Sequence, residues 1–279
     1  MDKIQAFFKS LLPSVVTAMI SICSAVFVSA WGIIYFLNTN KFTNLEEFAT
    51  KARKMAVGLA ASPYLYLFYS IVAILVMLIW VKALKTKGTV SITFSLKGLK
   101  GLGIPILLAL AFGLQIVTNY LMNFCIILMP DAGNSYIELM KTAGLSGNVS
   151  PLMLIYAILL GPVLEELTYR GLSYKYAREA FGFWAANTIQ AVFFGLAHMN
   201  LIQGIYAFAL GMVLGYIYSL TGNLFTTMVL HIFFNLLSGV GESLTSIFSK
   251  NPLSLGLSLL LALCLVYVML MSYKKSTSR

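Results

Sequence analysis

Only 10% of the 279 residues are Asp, Glu, Lys or Arg, against about a quarter in soluble globular domains. That scarcity excludes an ordinary water-soluble domain, and it excludes a disordered chain, which is rich in charge and poor in apolar side chains. Acidic residues are the rarest, nine against 19 Lys and Arg, for a formal charge of +10. Cysteine is almost missing. Cys23, Cys125 and Cys264 each stand alone in an apolar stretch, which argues against a disulfide framework or a thiolate metal site. No Gly triplet, charged heptad, internal repeat or low-complexity tract occurs, so collagen and coiled coil drop out. Also absent are an H-E-x-x-H zinc helix, a G-x-S-x-G elbow and a Walker-type glycine loop.

What is abundant is apolar: 59% of the chain is hydrophobic and the mean hydropathy is +0.88. The length accommodates roughly six to eight membrane helices of about 20 residues. Eight apolar runs can be read, at Leu11–Leu37, Leu59–Val81, Leu102–Met129, Leu152–Leu172, Gly182–Met199, Gly204–Leu220, Leu224–Val240 and Leu253–Tyr273. The first is too long for a signal-peptide core and lacks a small-residue cleavage site, so it reads as a span. The expected fold is all-α: a polytopic membrane helix bundle of about eight transmembrane helices, one domain over residues 1–279. The run at 41–58 has Leu45, Phe48, Ala52, Met55 and Ala56 at mostly helical spacing, as in a helix lying at the interface.

The cations sit in short connections between runs, where they set topology and meet anionic membrane lipid; nothing suggests nucleic acid. With eight spans, the side holding both termini carries 12 Lys and Arg and the other side six. This bias places both termini in the cytoplasm of a plasma membrane, and the short lysine-rich loops suit a bacterial one.

Ionisable groups inside a span cost a few kcal/mol each and need a reason to be there. Glu165 and Glu166 are the two acids within an apolar run, and the two histidines, His198 and His231, fall in or at the edge of such runs. In Gly161-Pro-Val-Leu-Glu-Glu-Leu-Thr-Tyr-Arg170, Glu166 and Arg170 are four apart and can pair across one helical turn. Glu165 is turned by about 100° from its neighbour, so it is free to act as a general base in a dry setting. The alternative makes both glutamates ligands of the one arginine. Gly161-Pro162 should loosen the backbone just before the acids. Phe194 lies one turn before His198, and His231 and Asn235 lie one turn apart on a common face. Gly211-x-x-x-Gly215 reads as a helix-packing face.

Together, E-E-x-x-x-R (Glu165, Glu166, Arg170), F-x-x-x-H (Phe194, His198) and H-x-x-x-N (His231, Asn235) resemble the CAAX protease and bacteriocin-processing (CPBP/Abi) family, intramembrane proteases related to the Ras-converting CAAX endopeptidase. The motif-bearing core covers about 152–240. The resemblance implies an eight-helix endopeptidase, opening toward the cytoplasm, that cleaves a membrane-associated peptide or lipidated protein substrate. By motif, Glu165 with His198 would activate a water, His231 and Asn235 would stabilise the oxyanion, and Glu166, Arg170 and Phe194 would support them. A metal-free, glutamate-dependent reaction is favoured, with Glu165, His198 and His231 as the ligand set if zinc were used. The alternative function is a non-catalytic bacteriocin-immunity or scaffold protein. One feature resists a shared site: His198 lies far along its run from the cytoplasmic end, so that helix must start late, tilt or dip inward to reach Glu165.

Overall fold

The structure, a computed structural model, describes residues 2–41, 43–60, 62–85, 93–95, 103–238 and 252–277. The expected end of the seventh run, at Val240, and Lys250 lie outside them. The described residues form ten helices and no strand: α1 Lys3–Thr39, α2 Leu45–Ala60, α3 Pro63–Lys85, α4 Gly103–Leu128 and α5 Pro130–Thr142. They continue as α6 Pro151–Arg178, α7 Phe183–Leu196, α8 Leu201–Thr221, α9 Leu224–Leu236 and α10 Pro252–Thr277. Five of these, α1, α3, α4, α6 and α8, are long and apolar enough to cross a membrane. The other three expected runs fall on shorter apolar helices: α7, α9 and, within α10, Gly256–Ser272. The all-helical membrane architecture is therefore as expected, with one addition: the third connection contains α5.

Chain chemistry places the helix ends. Asp2, Ser150, Asn200 and Asn223 each turn a side-chain oxygen to a backbone N–H of the turn they precede, satisfying a donor that the helix leaves unpaired. α8 stops at Gly222, whose φ of 59° is left-handed, the conformation a helix C-terminus assigns to glycine. Asn223 then starts α9 at once. The expected fifth span is shorter than its apolar run: α7 ends at Leu196, and His198 lies in the turn beyond.

Apolar side chains face outward in numbers no soluble surface carries. Trp31, Ile22 and Phe27 on α1 are all more than 60% exposed, and the most apolar stretch of α1 is barely covered by the rest of the chain. With so few charges, that surface belongs in lipid; this is a membrane protein. Inside, one cluster joins Leu110, Phe194, Leu214 and Phe234 of α4, α7, α8 and α9. A second joins Met77, Leu167, Tyr218 and Met228 of α3, α6, α8 and α9. α6 contributes to both, through Tyr169 to the first and Leu167 to the second, and so its glutamates lie at the centre of the bundle.

Hydrogen bonds tie helix ends and connections together. Lys175 Nζ, on a buried side chain, donates to Leu84 O at 3.2 Å, and Trp80 Nε1 to Tyr176 Oη at 3.0 Å. Thr93 N donates to Gly222 O at 3.1 Å, and Leu224 N to Thr93 O at 3.0 Å. The second and sixth connections therefore touch, and the ends of α3 and α6 are tied to each other.

Candidate active site

The acidic pair sits on a helix that is not a regular α-helix. α6 widens into π turns at Tyr156–Leu160 and again at Glu166–Ser173. In the first, Gly161 N–H reaches back five residues to Tyr156 O, skipping its α-helical acceptor, Ala157 O. Pro162, next in line to bond Ala157, has no N–H. The Ala157 carbonyl is thus passed over twice, and Asn235 Nδ2 donates to it at 2.8 Å. The loosening expected at Gly161-Pro162 takes this form, and π turns of this kind recur at functional sites.

Glu166 is fully buried and its Oε1 gathers two donors, Arg170 Nη1 at 2.7 Å and His231 Nδ1 at 2.9 Å. The Glu166–Arg170 pair expected from spacing is present. Glu165 takes no part in it. Its Oε2 lies 3.5 Å from His231 Nε2, and its side chain keeps 28% exposure. One imidazole therefore bridges two unlike carboxylates, one sealed and ion-paired, the other open. Because Glu166 is paired with an arginine it accepts, and the His231 tautomer that satisfies it presents Nδ1–H, which leaves Nε2 facing Glu165.

Phe194 is the hub of the remaining residues. Its ring lies 5.8 Å from that of His231 and 5.1 Å from that of His198, both edge-on, and Arg170 stacks over it at 4.7 Å. The two imidazoles are separated by no more than the sum of those ring distances. His198 makes no hydrogen bond or ion pair with Glu165; its Nδ1 lies 2.8 Å from Phe194 O. The early end of α7 turns the chain at His198: a closing turn follows Leu196 and Met199 adopts φ 53°. Two glycines permit it, since a Cβ on Gly195 would stand 2.7 Å from Gly204 O.

Other side chains complete the site that no motif marked. Gln115 Nε2 of α4 donates to Phe234 O at 2.6 Å, tying down the α9 turn between His231 and Asn235. Gln115, Asn187 and Gln190 are buried amides inside apolar runs. The rule that flagged the glutamates applies to them as well, but an uncharged amide barely lowers hydropathy.

Among the described residues no group of three or more His, Cys, Asp and Glu side chains could hold a metal ion. His231 Nδ1 is held by Glu166, its Nε2 faces Glu165, and the Arg170 charge stands beside Glu166.

The fold and this centre define a class: a helical membrane protein with a glutamate–histidine–arginine cluster inside the bundle. Residues 147–237 match the family model described as Type II CAAX prenyl endopeptidase Rce1-like. Over 85 residues the chain is 29% identical to the "Putative membrane peptidase YdiL" of Bacillus subtilis (strain 168), a match covering 30% of this chain and 35% of that protein. The match thus spans about a third of that relative's length. No solved structure matches the chain. The family likeness implied by the three motifs holds over the segment that carries them.

Proposed function

We propose that the protein is an intramembrane endopeptidase that hydrolyses a peptide bond in a membrane-associated or lipidated peptide. The observation that carries this reading is the asymmetry around His231, with a sealed, arginine-paired glutamate on one nitrogen and an open glutamate on the other. Glu165 takes a proton from water as the water oxygen bonds to the peptide carbon. His231 shares that proton through Nε2, and the Nδ1–H···Glu166 bond stabilises the imidazolium so formed. The proton then goes to the leaving amine as the C–N bond breaks. Asn235 has two amide hydrogens; Ala157 O takes one, and the other serves the carbonyl oxygen as it gains charge. His198 stands across Phe194 as a second imidazole at the rim. The reaction runs without a metal. Both termini face the cytoplasm of a bacterial plasma membrane, and the second and sixth connections, which an eight-span course puts on one side, touch.

The test is a mass-spectrometric comparison of membranes containing the wild type, Glu165→Ala or Glu165→Gln. A peptide cleaved by the wild type and by neither variant is expected. If no Glu165-dependent cleavage exists, the non-catalytic immunity or scaffold role replaces this one.

A further inference from the structure

The Gly211-x-x-x-Gly215 pair does more than let two helices approach. α7 turns two fully buried amides, Asn187 and Gln190, toward this stretch of α8. Asn187 Nδ2 donates to Met212 O at 2.9 Å; Gln190 Nε2 donates to Asn187 Oδ1 at 2.8 Å and to Gly211 O at 2.9 Å. The same Gly211 carbonyl accepts from Arg170 Nη2 at 3.3 Å, while Nη1 of that guanidinium holds Glu166. There is room only because residue 215 has no side chain. A Cβ there would come within 1.8 Å of Asn187 Oδ1 and 2.7 Å of Gln190 Nε2. A continuous polar line runs from Gln190 through Gly211, Arg170 and Glu166 to His231.

Stability alone does not account for Gln190. Its buried Oε1 has no hydrogen-bond partner among the described residues, and an unmet buried acceptor costs free energy that an apolar side chain of the same shape avoids. We propose that Gln190 is a positioning residue. It fixes the Gly211 carbonyl, and through it the Arg170 fork and the Glu166 oxygen that orients His231, with Asn187 as its brace and Gly215 as the space that admits both. Only the kinetic consequence rests on the peptidase reading; the orientation of His231 does not.

The chain has two histidines, so histidine-selective ¹⁵N labelling of the purified protein reports each imidazole separately. Gln190→Met keeps length and removes the donor. Thermal stability should stay near that of the wild type, because the variant removes the unmet Gln190 Oε1 but leaves Asn187 Oδ1 without its donor. The His231 Nδ1–H resonance should shift or broaden by exchange, while the His198 signals stay in place. With a cleavable peptide, kcat should fall about tenfold to a hundredfold at unchanged KM, as expected when a reacting group is misplaced by a fraction of an ångström to an ångström. Gln190→Asn, which shortens the amide by one methylene, serves if the Met variant fails to accumulate, and the same changes are expected of it. A His231 resonance identical to that of the wild type overturns the proposal, whatever the kinetics. A shifted resonance in a protein whose wild type cleaves nothing supports the positioning role and overturns the peptidase reading instead.

Discussion

Glu166→Gln separates support from chemistry. It leaves Arg170, fully buried, without its counter-charge, and removing one partner of a buried pair typically costs about 3–5 kcal/mol. The variant should accumulate poorly and lose Tm in detergent as well as activity. Normal abundance with a normal Tm would refute the supporting role. Asn235 should behave differently. Asn235→Ala should lower kcat by roughly 10²–10³ with KM nearly constant, the loss expected for one oxyanion donor. Asn235→Asp should be worse, because a carboxylate would face both the Ala157 carbonyl and the developing oxyanion. Kinetics of both variants on one peptide decide the matter: an active Asp variant would remove Asn235 from the oxyanion role.

At the scale of the element, α6 depends on a residue that cannot donate. Pro162→Ala restores an N–H that can reach Ala157 O, competing with Asn235 for it. The protein should still be made, with kcat reduced about tenfold because the Asn235 amide is no longer held; unchanged kcat would show the Ala157 tie to be packing alone. α2 carries a prediction about pH. Glu47 accepts from Lys51 and from Thr43 O–H and N–H, which hold its exposed carboxyl well below the usual carboxylate range, at about 2. A depressed pKa means the contribution is present above the ordinary carboxylate value and is lost only as pH falls toward about 2. Titrating Glu47 by NMR should find it ionised at pH 4, and an ordinary midpoint would dissolve this N-terminal arrangement. The elements themselves were legible because hydropathy is local: each of the eight apolar runs falls on a helix. The Glu166–Arg170 pair was legible through its four-residue spacing. Three features were not. The π form of the α6 turns and the early end of α7 beside Gly195 and Gly204 follow no periodicity, and the Gln190 and Gln115 ties join residues 21 and 119 apart in sequence.

For the whole molecule, the donor geometry around His231 gives a test of its own: exhaustive chelation should leave cleavage unchanged, and activity lost to a chelator and restored by zinc would overturn the metal-free reaction. A last consequence comes from α7 and α9, of 14 and 13 residues. At 1.5 Å per residue each reaches only about 20 Å, whereas the hydrocarbon layer is about 30 Å thick. Where lipid meets these two helices at their own length, the bilayer would be thinnest next to the centre they carry, and head groups and water would be drawn toward Glu165. Hydrolysis inside a membrane needs water at that depth. Reconstituted in phosphatidylcholines of increasing acyl length, the protein should lose activity as the bilayer thickens, at constant folded fraction. Indifference to thickness would mean that water reaches Glu165 through the protein rather than along its flank.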